Sequence, residues 1–338
     1  MPRLSLTGSP RARRLATSGF VLVLIIFVAA RLLDLYPWNH RLFDLWAYWS
    51  TRFGLDYTLA RPGDSGAYLY SPAFAHLIAP LTVLPLPLFG AIWTAIMAGT
   101  LYWLTGWRGF FIGLLAPVTM SVAIGQTDVL MAAAIVISFR WPAIWVLPIV
   151  TKLTPGIGLL WFAVRREWRS FGIAVWATLA VAAVSFVIDP NAWFGWFAML
   201  ARVEFPTAGS GVYLPVPVWV RLPLVALLIA WGARANRRWV LPVAVCFSLP
   251  TVWINTPTIL VAIAPLMDWG ADAPAGRFLR ATGVGSAAVL HRLRRRVRWF
   301  GLTLRRDLGG IAAASGLFAE RRAHSRTRPH RRTAPRPR

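Results

Sequence analysis

Few side chains in this sequence can carry a proton or hold an anion, and most of them sit in short polar breaks between apolar runs. The largest break runs from Phe43-Asp44-Leu45-Trp46-Ala47-Tyr48 to Tyr68-Leu69-Tyr70-Ser71-Pro72, with Asp56 and Asp64 between and Asp34 just ahead of it. Carboxylates set among aromatics, beside a helix started by proline, mark a place for chemistry or binding. Further candidates in the apolar region are His76, Gln126 and Asp128 of Gly125-Gln126-Thr127-Asp128, Lys152, Arg202 and Arg221. Ionisable residues at membrane depth are functional candidates by default. Each also has a bland reading. Asp44 suits a helix cap or a partner of Arg41, Asp128 a helix cap, Lys152 a chain snorkelling to the interface, and Arg202 a partner of Glu204. His76 suits a satisfied polar residue on a half-buried helix. The tryptophans suit interfacial anchors, Trp46 and Trp49 being the two nearest Asp44 in sequence.

The elements that must position these residues are membrane helices. Of 338 residues 57% are hydrophobic and 19 are Trp, more apolar surface than a soluble domain of this length buries. An apolar run at about 15–33 follows Arg3, Arg11, Arg13 and Arg14, and is long enough to cross a hydrocarbon core of roughly 30 Å. Arg31-Leu32-Leu33-Asp34 lacks the small residues of a signal cleavage site, so this helix is expected to be retained. Residues 34–71 then form an extracytoplasmic loop with short surface helices, and 73–84, closed by Pro80, Pro85 and Pro87, is too short to span. Spans are expected at 86–104, 110–124, 129–139, 168–188, 218–231, 240–254 and 258–267. Residues 141–164, broken by Pro142, Pro148 and Pro155, read as a hairpin with Lys152 near its tip, tolerated where it lines a cavity. The sequence therefore predicts an all-α polytopic bundle of roughly 8–10 transmembrane helices. Arginines before the first run, at 108, at 165–169, at 234–238 and beyond 276 fall on one side. They place both termini in the cytoplasm and the acidic loop outside, in a multi-pass protein of the cell membrane.

Residues 1–14 are thus a cytoplasmic N-terminus, 15–270 a membrane domain and 271–338 a basic cytoplasmic tail, largely disordered. The tail suits a solvated segment or contact with anionic lipid headgroups. Nucleic acid is not an expected partner, because the tail carries no folded recognition motif. The net charge of +24 is almost wholly arginine, Lys152 being the single lysine. The lone Cys246 lies in an apolar run and says nothing of redox compartment. Zinc spacings, Walker loops, dinucleotide fingerprints and nucleophile elbows do not occur.

Four blocks in order carry a resemblance: Asp44-Leu-Trp-Ala-Tyr48; Tyr68-Leu-Tyr70-Ser-Pro72 running on through His76 to Pro80; Ile124-Gly125-Gln126-Thr-Asp128; and Thr151-Lys152-Leu-Thr154-Pro155 followed by Arg165-Arg166-Glu-Trp168-Arg169. Together they resemble glycosyltransferase family 87, multi-spanning mannosyltransferases of the GT-C superfamily. Where that family would carry an Asn-Gln-Ser block, this chain has Gly209-Ser210-Gly211-Val212-Tyr213. The resemblance implies a GT-C-like fold and transfer of a hexose, mannose by preference, from a polyprenyl-phosphate donor to a glycolipid or glycan acceptor on the outer face. It implies Asp44 as general base inverting the anomeric centre. Lys152 is then the first choice for the donor phosphate, and His76, Arg202, Arg221, Gln126, Asp128, Tyr48 and Tyr70 are further donor ligands. Asp56 and Asp64 are fallback bases. The scheme needs no metal or other cofactor. Two other classes remain: a transporter or flippase for a lipid-linked sugar, which would show an internal repeat that this sequence lacks, and a catalytically degenerate membrane scaffold.

Overall fold

A computed structural model describes residues 8–35, 44–58, 60–64, 66–204, 214–267 and 272–281. Among them every regular element is helical. The α-helices are α1 (Pro10–Leu32), α2 (Asp44–Ser50), α3 (Pro72–Thr82), α4 (Leu86–Thr105), α5 (Gly109–Gly113), α6 (Ala116–Ile124) and α7 (Asp128–Ser138). They continue as α8 (Val146–Thr151), α9 (Leu160–Val164), α10 (Trp168–Ile188), α11 (Pro190–Arg202), α12 (Val218–Arg234), α13 (Val240–Ser248) and α14 (Ile263–Leu266). Proline begins many of them, at a position where its missing N–H costs nothing. At α1 and α11 the side chains of Ser9 and Asp189 also accept a backbone N–H of the first turn.

Three stretches are each long and apolar enough to cross a membrane: α1, the continuous Leu86–Gly113, and α10. A fourth is made if α6 and α7, bent by 104° at Gly125-Gln126-Thr127, count as one broken span. The bundle is thus built less from uninterrupted spans than the sequence suggests. The run expected at 110–124 is broken at Leu114-Leu115, because α5 continues the α4 stretch and Pro117 starts a new helix. The run expected at 240–254 stops at Ser248 and goes on as irregular chain, and 258–267 is mostly a 3-10 helix. Irregular backbone at such depth is tolerated only where protein encloses it or a cavity borders it. Exposed apolar side chains such as Leu22, Ile26, Trp176 and Val187 cover α1 and α10, as suits helices that face lipid.

Helix α7 is the centre of the molecule. Its residues from Asp128 to Val136 are buried except Leu130, the pattern of a helix covered all round. Val129, Ala132 and Val136 join the core made with α2, α3 and α4. Met131 and Ile135 join a second core around Trp145, Trp161, α12 and α13. Any polar group at the start of α7 is therefore held from both sides.

The hairpin expected at 141–164 is present as two short arms, 142–151 and 154–164, with Lys152 and Leu153 between them. Gly158 makes the arms fit, since a Cβ there would lie 2.3 Å from the Trp145 ring. The compact body ends at Arg280. Ala275 and Leu279 are buried in the first core, Phe278 packs on Trp103 and Trp141, and Asp272 pairs with Arg108 at 2.6 Å. The expected tail beyond 281, the Gly209–Tyr213 turn and Arg41 lie outside the described residues.

Candidate active site

The acidic segment is held by aromatics. Tyr48, one turn after Asp44 on α2, packs edge-on against Tyr70 and Phe74 and tilted against Trp93. The Tyr57 hydroxyl donates to the Tyr70 carbonyl at 2.8 Å, and the Tyr68 hydroxyl to that of Ser71 at 3.0 Å. Ser71 in turn donates its hydroxyl to the Val150 carbonyl at 2.7 Å, which fastens Tyr70 beside the end of α8 and so beside Lys152. On the other flank Trp49 donates to the Leu84 carbonyl at 2.8 Å, and the Arg52 guanidinium lies over the Trp49 ring.

The turn carrying Gln126 is fitted to α2 just as closely. Gly125 has φ +85, and a Cβ on it would lie 3.1 Å from Leu45 Cβ. Its carbonyl accepts the Trp93 indole N–H at 2.8 Å. Arg31, fully buried at the end of α1, donates to the Ala123 carbonyl two residues before Gly125. That end of α1 therefore adjoins the site, while Arg13 at the other end approaches Asp272 to 4.0 Å.

Between these parts lies a cavity of about 460 Å³, within the usual range for a small-molecule site. Asp44, Gln126, Tyr70 and Lys152 line it. The Tyr48 hydroxyl donates to Tyr70 at 2.9 Å, and Tyr70 donates to Gln126 Oε1 at 3.2 Å, so the Gln126 amide N–H₂ is turned to the Asp44 carboxylate, with which it hydrogen-bonds. Burial, the largest cause, pushes Asp44 up to about 6; Asp128 adds to the rise, and Lys152 and the Gln126 bond oppose it. A carboxylate so placed is ionised near neutral pH yet basic enough to take a proton. Lys152 Nζ donates to Asp128 Oδ1 at 3.0 Å, and Asn255 Nδ2 donates to Asp128 Oδ2 at 2.7 Å.

The structure thus brings six of the nine candidate residues together: four on the cavity wall, Asp128 beneath Lys152, and Tyr48 behind Tyr70. Three stand elsewhere. His76 Nδ1 lies 2.8 Å from Ser185 Oγ, which also accepts the Trp193 indole N–H, so the ring faces α10 and α11. Arg202 is exposed and donates to the Tyr57 carbonyl. Arg221 is buried, and its guanidinium donates to the carbonyls of Val216, Phe247 and Pro250 at 2.7–2.8 Å. It braces the 249–255 segment of the cavity wall and does not itself line the cavity. Of the fallback carboxylates, Asp64 lines the cavity, whereas Asp56 is exposed and accepts from Thr58. Trp46 and Trp49 do not line it; Trp196 and Trp253 do. Trp253 and Asn255 were hidden in an apolar run, where only their polar edges hinted at a second role.

A helical, strongly apolar body thus encloses a carboxylate and a lysine in one cavity. The chain belongs to glycosyltransferase family 87, whose sequence profile matches residues 68–249, and it is a membrane glycosyltransferase. It is similar, at 25% identity over 79% of this chain and 75% of the relative, to the polyprenol-phosphate-mannose-dependent α-(1-2)-phosphatidylinositol pentamannoside mannosyltransferase of Mycobacterium tuberculosis (strain CDC 1551 / Oshkosh). No solved structure matches. Asp44 and Asn255 lie outside the stretch the profile covers, so their place in the site rests on geometry.

Proposed function

We propose that the protein moves mannose from a polyprenyl-phosphate donor to a glycolipid acceptor at the extracytoplasmic face, inverting the anomeric centre. The observation that carries this is the sharing of one cavity by Asp44 and Lys152. Asp44 takes the proton of the acceptor hydroxyl as its oxygen bonds to the anomeric carbon. The bond from that carbon to the phosphate oxygen breaks on the opposite side, and polyprenyl phosphate leaves with one more negative charge than the donor carried. Lys152 lies where an ammonium can offset that charge. The Gln126 amide orients Asp44, and Trp196 and Trp253 offer flat faces to sugar rings. An inverting transfer from a β-linked donor gives an α-mannosyl linkage.

The two ends of α1 support the outer location. Arg31 adjoins the cavity, while Arg13, Arg108 and Asp272 gather at the opposite end, the end that the positive-inside rule keeps in the cytoplasm. Membrane lipids and the donor's polyprenyl chain are the remaining partners. The reading is tested by supplying radiolabelled polyprenyl-phosphate-mannose and a mannosylated phosphatidylinositol to the purified protein in lipid nanodiscs. Label is expected in the glycolipid with an α linkage. Movement of the intact donor between leaflets of a vesicle, without transfer to any acceptor, would favour a flippase instead.

A further inference from the structure

Behind Lys152 stands an arrangement that charge compensation alone does not require. Asp128 is fully buried at the start of α7, and each of its oxygens has a partner: Lys152 on Oδ1 and Asn255 on Oδ2. These residues come from three distant parts of the chain. Asp128 is the one hydrogen-bond partner of the Lys152 ammonium among the described residues, which leaves two of its three N–H donors for a ligand. A carboxylate held through one oxygen can turn about its Cβ–Cγ bond. A second bond, on the other oxygen, fixes its plane and with it the point at which the ammonium stands.

Asn255 is suited to this by charge and by its own anchoring. It is buried yet borders the cavity, and its amide donates without adding charge to the Asp128–Lys152 pair. Its backbone carbonyl accepts from Thr258 N at 3.0 Å, and just before it Trp253 N donates to Thr256 Oγ1 at 2.9 Å. We propose that Asn255 is a positioning residue for the donor phosphate: by holding Asp128 Oδ2 it sets the direction in which Lys152 presents its ammonium to the cavity. This rests on the donor reading above and adds to it a residue beyond the stretch that the family profile matches. Without Asn255, Oδ2 is buried and unpaired. The carboxylate is then free to turn and draw the ammonium off the cavity wall. The groups facing Asp128 are Lys152 from the hairpin, Asp44 and Tyr48 from α2, Tyr70 from the loop before α3, and Cys246 from α13.

The test measures equilibrium binding of polyprenyl-phosphate-mannose to the purified full chain in nanodiscs, with acceptor KM, kcat and thermal unfolding recorded beside it. Asn255→Ala is expected to weaken donor binding about tenfold, the scale of a lost hydrogen bond to a charged group, while acceptor KM stays within about twofold. Asn255→Asp supplies the readout that a purely structural tie would not move. At low pH the introduced carboxyl is protonated, donates to Asp128 Oδ2 as the amide did, and donor affinity approaches wild type. By pH 8 the two carboxylates repel and affinity falls about tenfold relative to the wild type at the same pH, Asp44 titrating alike in both proteins. Wild-type donor affinity in Asn255→Ala, or a pH-independent Asn255→Asp, overturns the positioning role when Lys152→Met binds donor weakly. Wild-type affinity in Lys152→Met removes the donor reading itself, and the positioning role with it.

Discussion

Replacing Asp44 by asparagine separates chemistry from folding, because the two are expected to move in opposite directions. The change keeps the shape and leaves an oxygen for the Gln126 amide, yet it removes the proton acceptor. General-base catalysis is worth about 10²–10⁴-fold, so turnover should drop by at least a hundredfold, while binding of polyprenyl-phosphate-mannose changes little. Stability carries the opposite sign. Burial raises Asp44 from 3.8 to about 6, so between those values the unfolded chain releases its proton first and the folded state loses stability as pH rises. Above pH 6 the ionised carboxylate costs on the order of 2–3 kcal/mol, at about 1.4 kcal/mol per unit. A neutral amide in its place carries no such cost, and the Asp44→Asn protein at pH 7.5 should unfold at the same temperature as the wild type or a few degrees higher. The assay is label transfer under single-turnover conditions, beside thermal unfolding of the same preparation. Turnover within threefold of wild type, in protein that is folded and binds donor, would remove Asp44 as the base and move the role to Asp64.

Three further outcomes follow from the same geometry. In the wild type, kcat/KM should fall tenfold per unit as pH drops below about 6 and level off above it, since the base must be ionised; a limb centred below pH 4.5 would contradict a base raised by burial. Lys152→Met leaves Asp128 buried with Asn255 as its remaining partner, which should destabilise the fold by about 3 kcal/mol. Adding Asp128→Asn should restore the unfolding temperature but not donor affinity, and recovery of both would make the pair purely structural. Gly125→Ala places a Cβ against Leu45 at a backbone conformation costing about 1–2 kcal/mol. The shift it forces on α2 should lower kcat tenfold or more with no reactive group removed, and a wild-type kcat would show that Asp44 tolerates displacement.

What the sequence showed of this site, and what it hid, divides by the range of the interactions involved. Asp44, Tyr70, Gln126 and Lys152 stand out because each is a polar residue at the end of an apolar run, and ends of runs on the same side of a membrane have little room to be far apart. The broken hairpin was legible for a local reason too, since Pro142, Pro148 and Pro155 disrupt a regular helix wherever they occur. His76 and Arg221 look like ligands from their surroundings in sequence, but their partners, Ser185 and the carbonyls of Phe247 and Pro250, lie 26 or more residues away. No local pattern shows that an arginine spends its donors on backbone. Asn255 was hidden for the same reason in reverse: a single amide in an apolar stretch gains meaning only when α7 brings Asp128 to 2.7 Å from it. The breaks within the spans were hidden for a third reason. Length and hydropathy register how much apolar chain there is, whereas the cavity demands that some of it stop short, at Ser248, at Thr151 and at Ile124, and turn its polar neighbours inward. The deviations from regular spans are thus where the site is built, and a reading that rewards unbroken helices will miss the residues that hold it.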